Sequence, residues 1–543
     1  MSFFDRASDF LTQYRVRQDV NRDIRKMAKA VDREISRRKK AAPNPNKGKT
    51  ILSFNASTRI DGLSLNAAFA MLTGWSLSLQ GVRVIHFVCQ RGMLRCVLGT
   101  NQNDVYQFPP CQKCLSQTGA IYDQAHISKL GYFPGEELAK LLQNTNLATL
   151  QHLRYDDFPL GDLCLPSMRW ILRRHHLKDD EPTRVLYRYF ILSAYKVAMQ
   201  FEWLLIKESP LAVVVFNGMM FPEATARWVA RKQGIPVYSH EVGMQPFSAF
   251  YTDGDATAYP VDIPDDFQLN QWQDQQLDDY LSKRFKGDFS MAGVKFWPQM
   301  RSLDQALVDK IDAFRQVVPI FTNVIFDTSQ PHANVLFPDM FTWLDRVLRV
   351  IRSNPDTLFV IRAHPDESRP GKSSQESVSE WVKDRGVEGL DNVVFIKPDE
   401  YFSSYEMIQR AKFVMMYNST IGMEASILGA PVLCAGKARF TQLDTVFFPK
   451  SRRDYIDTLE EFLAADQVHA PDEHRLNARR FLYYQLYRTS LPFDAFIKPD
   501  DVTPGFVRLT DFSWQDLLPE NSETMRIITD GLLKGQGFIL PQG

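Results

Sequence analysis

Short runs of apolar, β-branched residues alternate with helix-length segments in two separate stretches of the chain, and that alternation commits most of its length to parallel sheets. In the first stretch Thr50–Phe54 is an apolar run, 57–64 is a polar loop containing glycine, 65–80 carries helical spacing, and 82–88 is a second β-branched run closed by Cys89. Strand, helix and strand in that order lay two parallel strands side by side through a right-handed crossover. The run 211–216 (LAVVVF), a helical segment over 223–233 and a run at 235–239 repeat the pattern, with a mainly helical region over 120–205 between. The second stretch begins near 305, with strands expected at 323–326, 357–361, 393–396, 413–417 and 431–434 and helices at 338–353, 404–410 and 421–428.

These strands are nearly all apolar, as strands covered by helices on both faces must be. A single core stops growing near ~250–300 residues, so a chain of 543 residues divides into two large halves. The expected fold is α/β, two Rossmann-like domains facing a cleft, preceded by an N-terminal helical extension. Ligands in such sheets sit beyond the carboxyl ends of the strands. The expected divisions are 1–46 for the extension and linker, 47–300 for the first Rossmann-like domain with its helical insertion, 301–505 for the second, and 506–543 for a helical tail.

Charge excludes one class of partner. Lys plus Arg and Asp plus Glu both total 64, so no overall field attracts nucleic acid, and none is expected as a partner. No run approaches the ~18 apolar residues needed to cross a bilayer, and charges stand at the N-terminus where a signal peptide would need an apolar core. A cytoplasmic protein is expected. Residues 1–42 hold no Pro or Gly and read as one charged helix with an apolar stripe of Phe3, Phe4, Phe10, Leu11, Tyr14, Val20, Ile24, Met27, Val31 and Ile35, ending in Arg37-Arg38-Lys39-Lys40. Two readings stay open: a basic amphipathic helix making peripheral contact with the inner face of the membrane, or a helix packed on its own protein or a partner subunit.

The strongest local signal is FVMMYNSTIGMEASILGAPVL, residues 413–433. An apolar strand ends at Tyr417, then Asn418, Ser419 and Thr420 supply cap-type side chains, and a helix begins near Ile421 and stops at Gly429. Such a turn aims backbone N–H groups and hydroxyls at the strand's carboxyl edge, where a phosphate would be held, although the same three residues suit any helix start. In TLFVIRAHPDE, His364 directly follows a buried strand and Pro365 ends strand pairing. A histidine there can donate a ring N–H to a phosphate oxygen or assist a departing phosphate, while lone histidines are usually structural. Arg362 either adds positive charge towards the phosphate or pairs with an acidic neighbour.

With RAHP, then NSTIGMEASILGAPV and Gly436, residues 322–440 resemble the donor half of GT-B glycosyltransferases. Within them the segment is most similar to bacterial capsule-polysaccharide biosynthesis proteins, which include Kdo transferases, and more distantly to HP-motif sialyltransferases and teichoic-acid polymerases. HRLNARRFLYYQLYRTSLPFDAFI, 474–497, is also family-like. The resemblance implies that His364, Ser419 and Thr420, with Asn418 beside them, contact donor phosphate and that Glu424 meets a ribose or sugar hydroxyl; an exposed residue near a helix start is the plainer reading of Glu424. It further implies sugar transfer from a nucleotide-activated donor bound by the second domain to a glycan or lipid-linked acceptor on the first, in surface or capsular polysaccharide synthesis, with metal-independent catalysis and no cofactor required. A nucleotide-sugar epimerase, a polyol-phosphate transferase and a non-catalytic scaffold of polysaccharide assembly are the alternatives.

Glycosyl transfer needs a group to take the acceptor proton. Asp61, in the loop STRIDGLSLN, would face the cleft, with Gly62 permitting close approach of a sugar. Glu241, after the strand 235–239, is preferred because its HE-x-G pattern after GIP resembles the capsule-type family. Either is equally readable as a loop carboxylate meeting a helix end or an arginine. HEVGM lacks the second His of a zinc-protease motif. Asp253-Gly254-Asp255 is similar to a metal-binding DxD but lacks an apolar strand before it, so a turn is expected. Finally, Cys89, Cys96, Cys111 and Cys114, the last two in PPCQKC, could complete a structural zinc site, or could be small buried hydrophobes.

Overall fold

The computed structural model describes the chain apart from residues 1–2, 42–43, 56–59, 61, 258–259, 287–299 and 543. The first sheet is built from β1 (Thr50–Phe54), β2 (Arg83–Cys89), β3 (His126–Leu130), β4 (Ala212–Phe216), β5 (Val237–Val242) and β6 (Ser248–Thr252). The second holds β7 (Gln316–Phe321), β8 (Thr357–Arg362), β9 (Val393–Ile396), β10 (Val414–Met416) and β11 (Val432–Cys434). A late strand, β12 (Leu491–Pro492), returns to the first sheet. Their orders are β12-β6-β5-β4-β1-β2-β3 and β11-β10-β7-β8-β9, parallel except for β6 against β5 and β12.

Side-chain alternation explains why both sheets are buried on two faces. Along β1, Ile51 joins the core beneath helix Leu65–Leu79, while Leu52 and Phe54 join the opposite core beneath the insertion helices Leu160–Leu172 and Glu181–Glu208. Along β7, Val317 and Phe321 face one core, and Val318 and Ile320 the other. Two doubly covered sheets are the expected α/β architecture. No described helix is long and apolar enough to cross a membrane.

Several elements depart from expectation. The central strand of the second sheet is 316–321, not 323–326: Pro319 makes the run QVVPIF a poor strand by sequence, yet it lies ahead of Ile320 and Phe321, where β10 begins to pair. The apolar run expected as that strand instead turns, burying Val324, Ile325 and Phe326. The strand expected at 235–239 runs on to Val242 because β6 pairs with it, so Glu241 lies within a strand. An apolar strand, β6, does precede Asp253-Gly254-Asp255. Asp255 is spent on ion pairs with Arg227 at 3.6 Å and His332 at 3.1 Å.

Chain crossings also fall away from the expected divisions at 300 and 505. Val261, Phe267, Leu277 and Leu281 already belong to the second half's core. After helix Asp472–Tyr487 the chain crosses back: β12 pairs with β6, and helix Glu523–Lys534 buries Met525, Ile528 and Leu532 in the core shared with helix 65–79. Bonds between the halves join Gln375 N–H to the Arg173 carbonyl at 2.8 Å and Arg439 to the Ala256 carbonyl at 2.6 Å.

From Val16 onward the N-terminal helix Phe3–Ala41 turns its apolar stripe into the protein, while Tyr14 is exposed. Val20, Ile24, Ala28 and Val31 are buried in the first half's core, and Met27 and Ile35 pack against it. Glu34 lies under Arg37 and Arg38, and its carboxyl is pulled down to about 2 mainly by the Arg37 hydrogen bond. From residue 16 onward the stripe is therefore not available to a membrane. Shortening Ile24 to Ala should cost about 2–5 kcal/mol, the range for emptying a buried aliphatic site, read as a lowered denaturation midpoint.

Candidate active site

In the second sheet the strand order reverses between β7 and β10, and side chains leaving their carboxyl ends enclose a cavity of about 210 Å³. Thr322 follows β7, Arg362 closes β8, Ala363 to Asp366 form the next turn, and Ser419, Thr420 and Ile421 follow β10. Arg284 and Tyr405 complete the wall beside Glu424. The volume is below the ~300–1,000 Å³ typical of whole small-molecule sites. It suits one end of an extended ligand.

His364 stands at the start of a single turn, Pro365–Glu367, and its Nδ1 accepts the Asp366 backbone N–H at 3.1 Å. That bond requires a lone pair on Nδ1, so the neutral ring carries its proton on Nε2. Burial lowers the pKa of His364 below the ordinary imidazole value, against the opposing pull of Asp366 and Asp327. His364 is thus a neutral N–H donor at the cavity wall.

Arg362 is 7 % exposed and donates through Nη1 to the Phe402 carbonyl at 2.6 Å. Burial brings its pKa down to about 10, which leaves it charged at neutral pH. Among the described residues no carboxylate lies within 4.0 Å of it, so of its two expected roles the acidic pairing is not made. Ser419 is half-buried and Thr420 exposed; neither hydroxyl is engaged by another described residue, and Thr420 does not cap the helix Ile421–Ile427. The expected capping is therefore absent. Asn418 is turned away from the cavity: its Oδ1 accepts from Asn323 at 2.8 Å and Gln330 at 3.2 Å, tying the loop after β10 to the loop after β7.

Glu424 is not an exposed helix residue: it lines the cavity, with both carboxylate oxygens engaged inside the protein. It is 3 % exposed, accepts from Arg284 Nε at 2.7 Å on Oε1, and from the Tyr405 hydroxyl at 2.7 Å on Oε2. Burial acts against the Arg284 charge, but Glu424 outweighs it and raises the guanidinium further. Arg284 and Tyr405 escaped sequence reasoning. Arg284 stands 140 positions before its partner in an ordinary charged helix, Gln271–Phe285, and only the fold brings the two together.

The candidate base of the first half is elsewhere. Glu241 takes Asn66 Nδ2 at 2.9 Å and its neighbour's Val242 N–H at 2.9 Å on Oε1, and Asn217 Nδ2 at 2.8 Å on Oε2. It sits at the carboxyl edge of the first sheet and is not part of the cavity wall. Asp61 lies outside the described residues. Its neighbour Gly62 has φ +89°, and a Cβ there would meet the Phe506 ring at 2.4 Å, so close packing of the returning chain, not approach of a sugar, explains that glycine. The thiols of Cys89, Cys96, Cys111 and Cys114 are free and near enough to influence one another, with Cys96 pushed up to about 12 by burial. No three of these sulfurs come within 4.8 Å of one another, so the four are gathered without forming a closed tetrahedral set.

Comparison with known proteins gives one family. Residues 298–443, which contain nearly all of the cavity wall, match the family model for capsule polysaccharide biosynthesis proteins. No curated protein matches the sequence. Among solved structures, Thermosulfurimonas dismutans KpsC beta Kdo 2,4 transferase is similar at 14% identity over 52% of this chain and 81% of its own, with a TM-score of 0.33. The beta Kdo 2,7 transferase of the same KpsC gives 14% identity, 61% and 89% coverage and a TM-score of 0.30. A Neisseria meningitidis UDP-GlcNAc 2-epimerase gives 14% identity, 80% and 98% coverage and a TM-score of 0.25.

Two outcomes follow from the buried ionisable groups of the second half. Arg284→Met leaves Glu424 without its cation and should destabilise the fold by about 3–5 kcal/mol, measured by denaturant unfolding. Glu367, 4 % exposed, accepts the Val378 N–H, and burial pushes its carboxyl up to about 8 from an ordinary 4.5. The folded chain then holds that proton more tightly than the unfolded one, so this stabilisation is complete below the unfolded value and is lost as pH rises towards the folded one. Melting curves taken between about pH 5 and 8 should show declining stability in the native protein and a flatter profile in Glu367→Gln.

Proposed function

We propose, from a segment of the capsule polysaccharide biosynthesis family at 298–443, that the protein is a glycosyltransferase that moves a sugar from a nucleotide-activated donor to a glycan or lipid-linked acceptor. One observation carries the reading: His364, Arg362, Ser419 and Thr420 share a single cavity wall at the point where the strand order of the second sheet reverses. All four present donors. Two are unengaged hydroxyls, one is a neutral N–H, and one is a buried cation without a carboxylate partner, a set that fits the oxygens of a donor diphosphate.

In this reading the negative charge that grows on the departing phosphate meets donors already held in place. Arg362 is fixed by the Phe402 carbonyl and His364 by the Asp366 backbone, so neither has to reorganise as charge develops. His364 stabilises the leaving group as a hydrogen-bond donor, since burial keeps it from being a standing imidazolium. Glu241 takes the acceptor proton on the opposite half, its carboxylate aimed by Asn66 and Asn217, with Asp61 as the second candidate.

His364→Ala removes one placed donor and should lower kcat by roughly 10²–10³-fold, the loss seen when a single oxyanion donor is deleted. The measurement is acceptor-dependent release of nucleotide from a panel of nucleotide sugars, with calorimetric nucleotide affinity alongside. Unchanged turnover in His364→Ala would overturn its role. Altered sugar in the absence of any acceptor would replace transfer with epimerisation.

A further inference from the structure

Away from the cavity, the insertion of the first half touches the second half through two adjacent histidines. We propose that His175, His176 and Asp339 bind one divalent metal ion of the zinc class across the boundary between the two halves. Each offers a ligand atom, and the three atoms lie within 4.8 Å of one another. The histidines follow helix Leu160–Leu172, whereas Asp339 opens helix Met340–Ser353 of the second half.

The geometry around His176 is that of a ligand with a supporting carboxylate. Its Nδ1 lies 2.6 Å from Glu376 Oε1, so that nitrogen carries the proton and Nε2 is left towards Asp339. From Nε2 to Asp339 Oδ2 is 3.6 Å, too long for a hydrogen bond. Two ligands bound at about 2.0–2.1 Å with a tetrahedral angle stand about 3.3 Å apart, close to that gap. Glu376 is itself immobilised, its Oε2 accepting the backbone N–H groups of His175 at 2.9 Å and His176 at 3.0 Å. The Thr342 N–H and hydroxyl hold the Asp339 carboxylate at 2.9 and 2.7 Å.

His175 supplies the independent observation. It is only 7 % exposed, it contributes one of the three clustered ligand atoms, and its Nδ1 has no hydrogen-bond partner among the described residues. Two imidazoles and one carboxylate suit zinc and its neighbours in the first transition row, not magnesium or calcium, which take oxygen ligands. The exposed side of His176 leaves a fourth position for water.

The test uses the full chain, freed of metal with a chelator and titrated with Co²⁺ as a visible probe and Zn²⁺ as competitor. One Co²⁺ should bind without thiolate-to-metal charge-transfer absorption and be displaced by Zn²⁺. His176→Ala, at an exposed position, and Asp339→Asn, which retains a helix-capping side chain, should each weaken binding by more than 100-fold while their melting curves stay cooperative; Glu376→Gln should weaken it by about 10–100-fold. Affinity unchanged in both ligand variants would overturn the site, as would failure to bind at all. Charge-transfer absorption from bound cobalt would overturn it too, assigning the metal to Cys89, Cys96, Cys111 and Cys114.

Discussion

Strands β7, β8 and β10 are covered by apolar side chains on both faces, and that coverage dictates where chemistry can occur in the second half. Between their first and last residues these strands have no place for a polar side chain. Polar groups appear as the strands run out, and they appear together because β7 lies between β8 and β10. Thr322, Arg362, His364, Ser419 and Thr420 are neighbours in space for this reason, although nearly one hundred positions separate the first from the last.

The charges near that edge are kept in two different ways. Glu424 is neutralised in place by Arg284 and Tyr405, a buried pair whose members each depend on the other. Arg362 is held by a carbonyl alone, which fixes its direction without cancelling its charge. The first arrangement is a floor. The second leaves a cation facing the cavity, the more useful property where an anion is to be received.

Legibility in the sequence followed distance along the chain. His364 and the Ser419-Thr420 pair could be read because each follows its own strand within one or two residues, and a strand tip is a local property. The Arg284 and Glu424 pair could not, since neither end carries any mark of the other. Asn418 shares the cap-type chemistry of its neighbours, but its amide turns to Asn323 and Gln330, which only the sheet brings near. Gly62 reads locally as a loop glycine beside Asp61, and its neighbour Phe506 arrives from the far end of the chain. Pro319 hid β7 for a different reason: a proline is tolerated in a central strand where the missing N–H falls outside the neighbour's pairing, a detail of register that composition does not contain. Both sheets are legible, but their exact membership is not: β3 falls in a region that reads as mainly helical, β6 mixes polar with apolar residues, and β12 is two residues long.

The late return of the chain gives the molecule an unusual kind of unity. Because β12 and helix 523–534 complete a layer begun before residue 80, the first lobe is not a contiguous stretch of sequence, whereas the buried core of the second is drawn from one unbroken stretch, Val261 to Leu486. A fragment ending at 300 would lack one edge of its sheet and a side of its core, so the first lobe is complete only once the chain has returned through 491–534. The chain therefore passes between the lobes twice, outward after β6 and back after helix Asp472–Tyr487, so the two are tethered at two points and not at one.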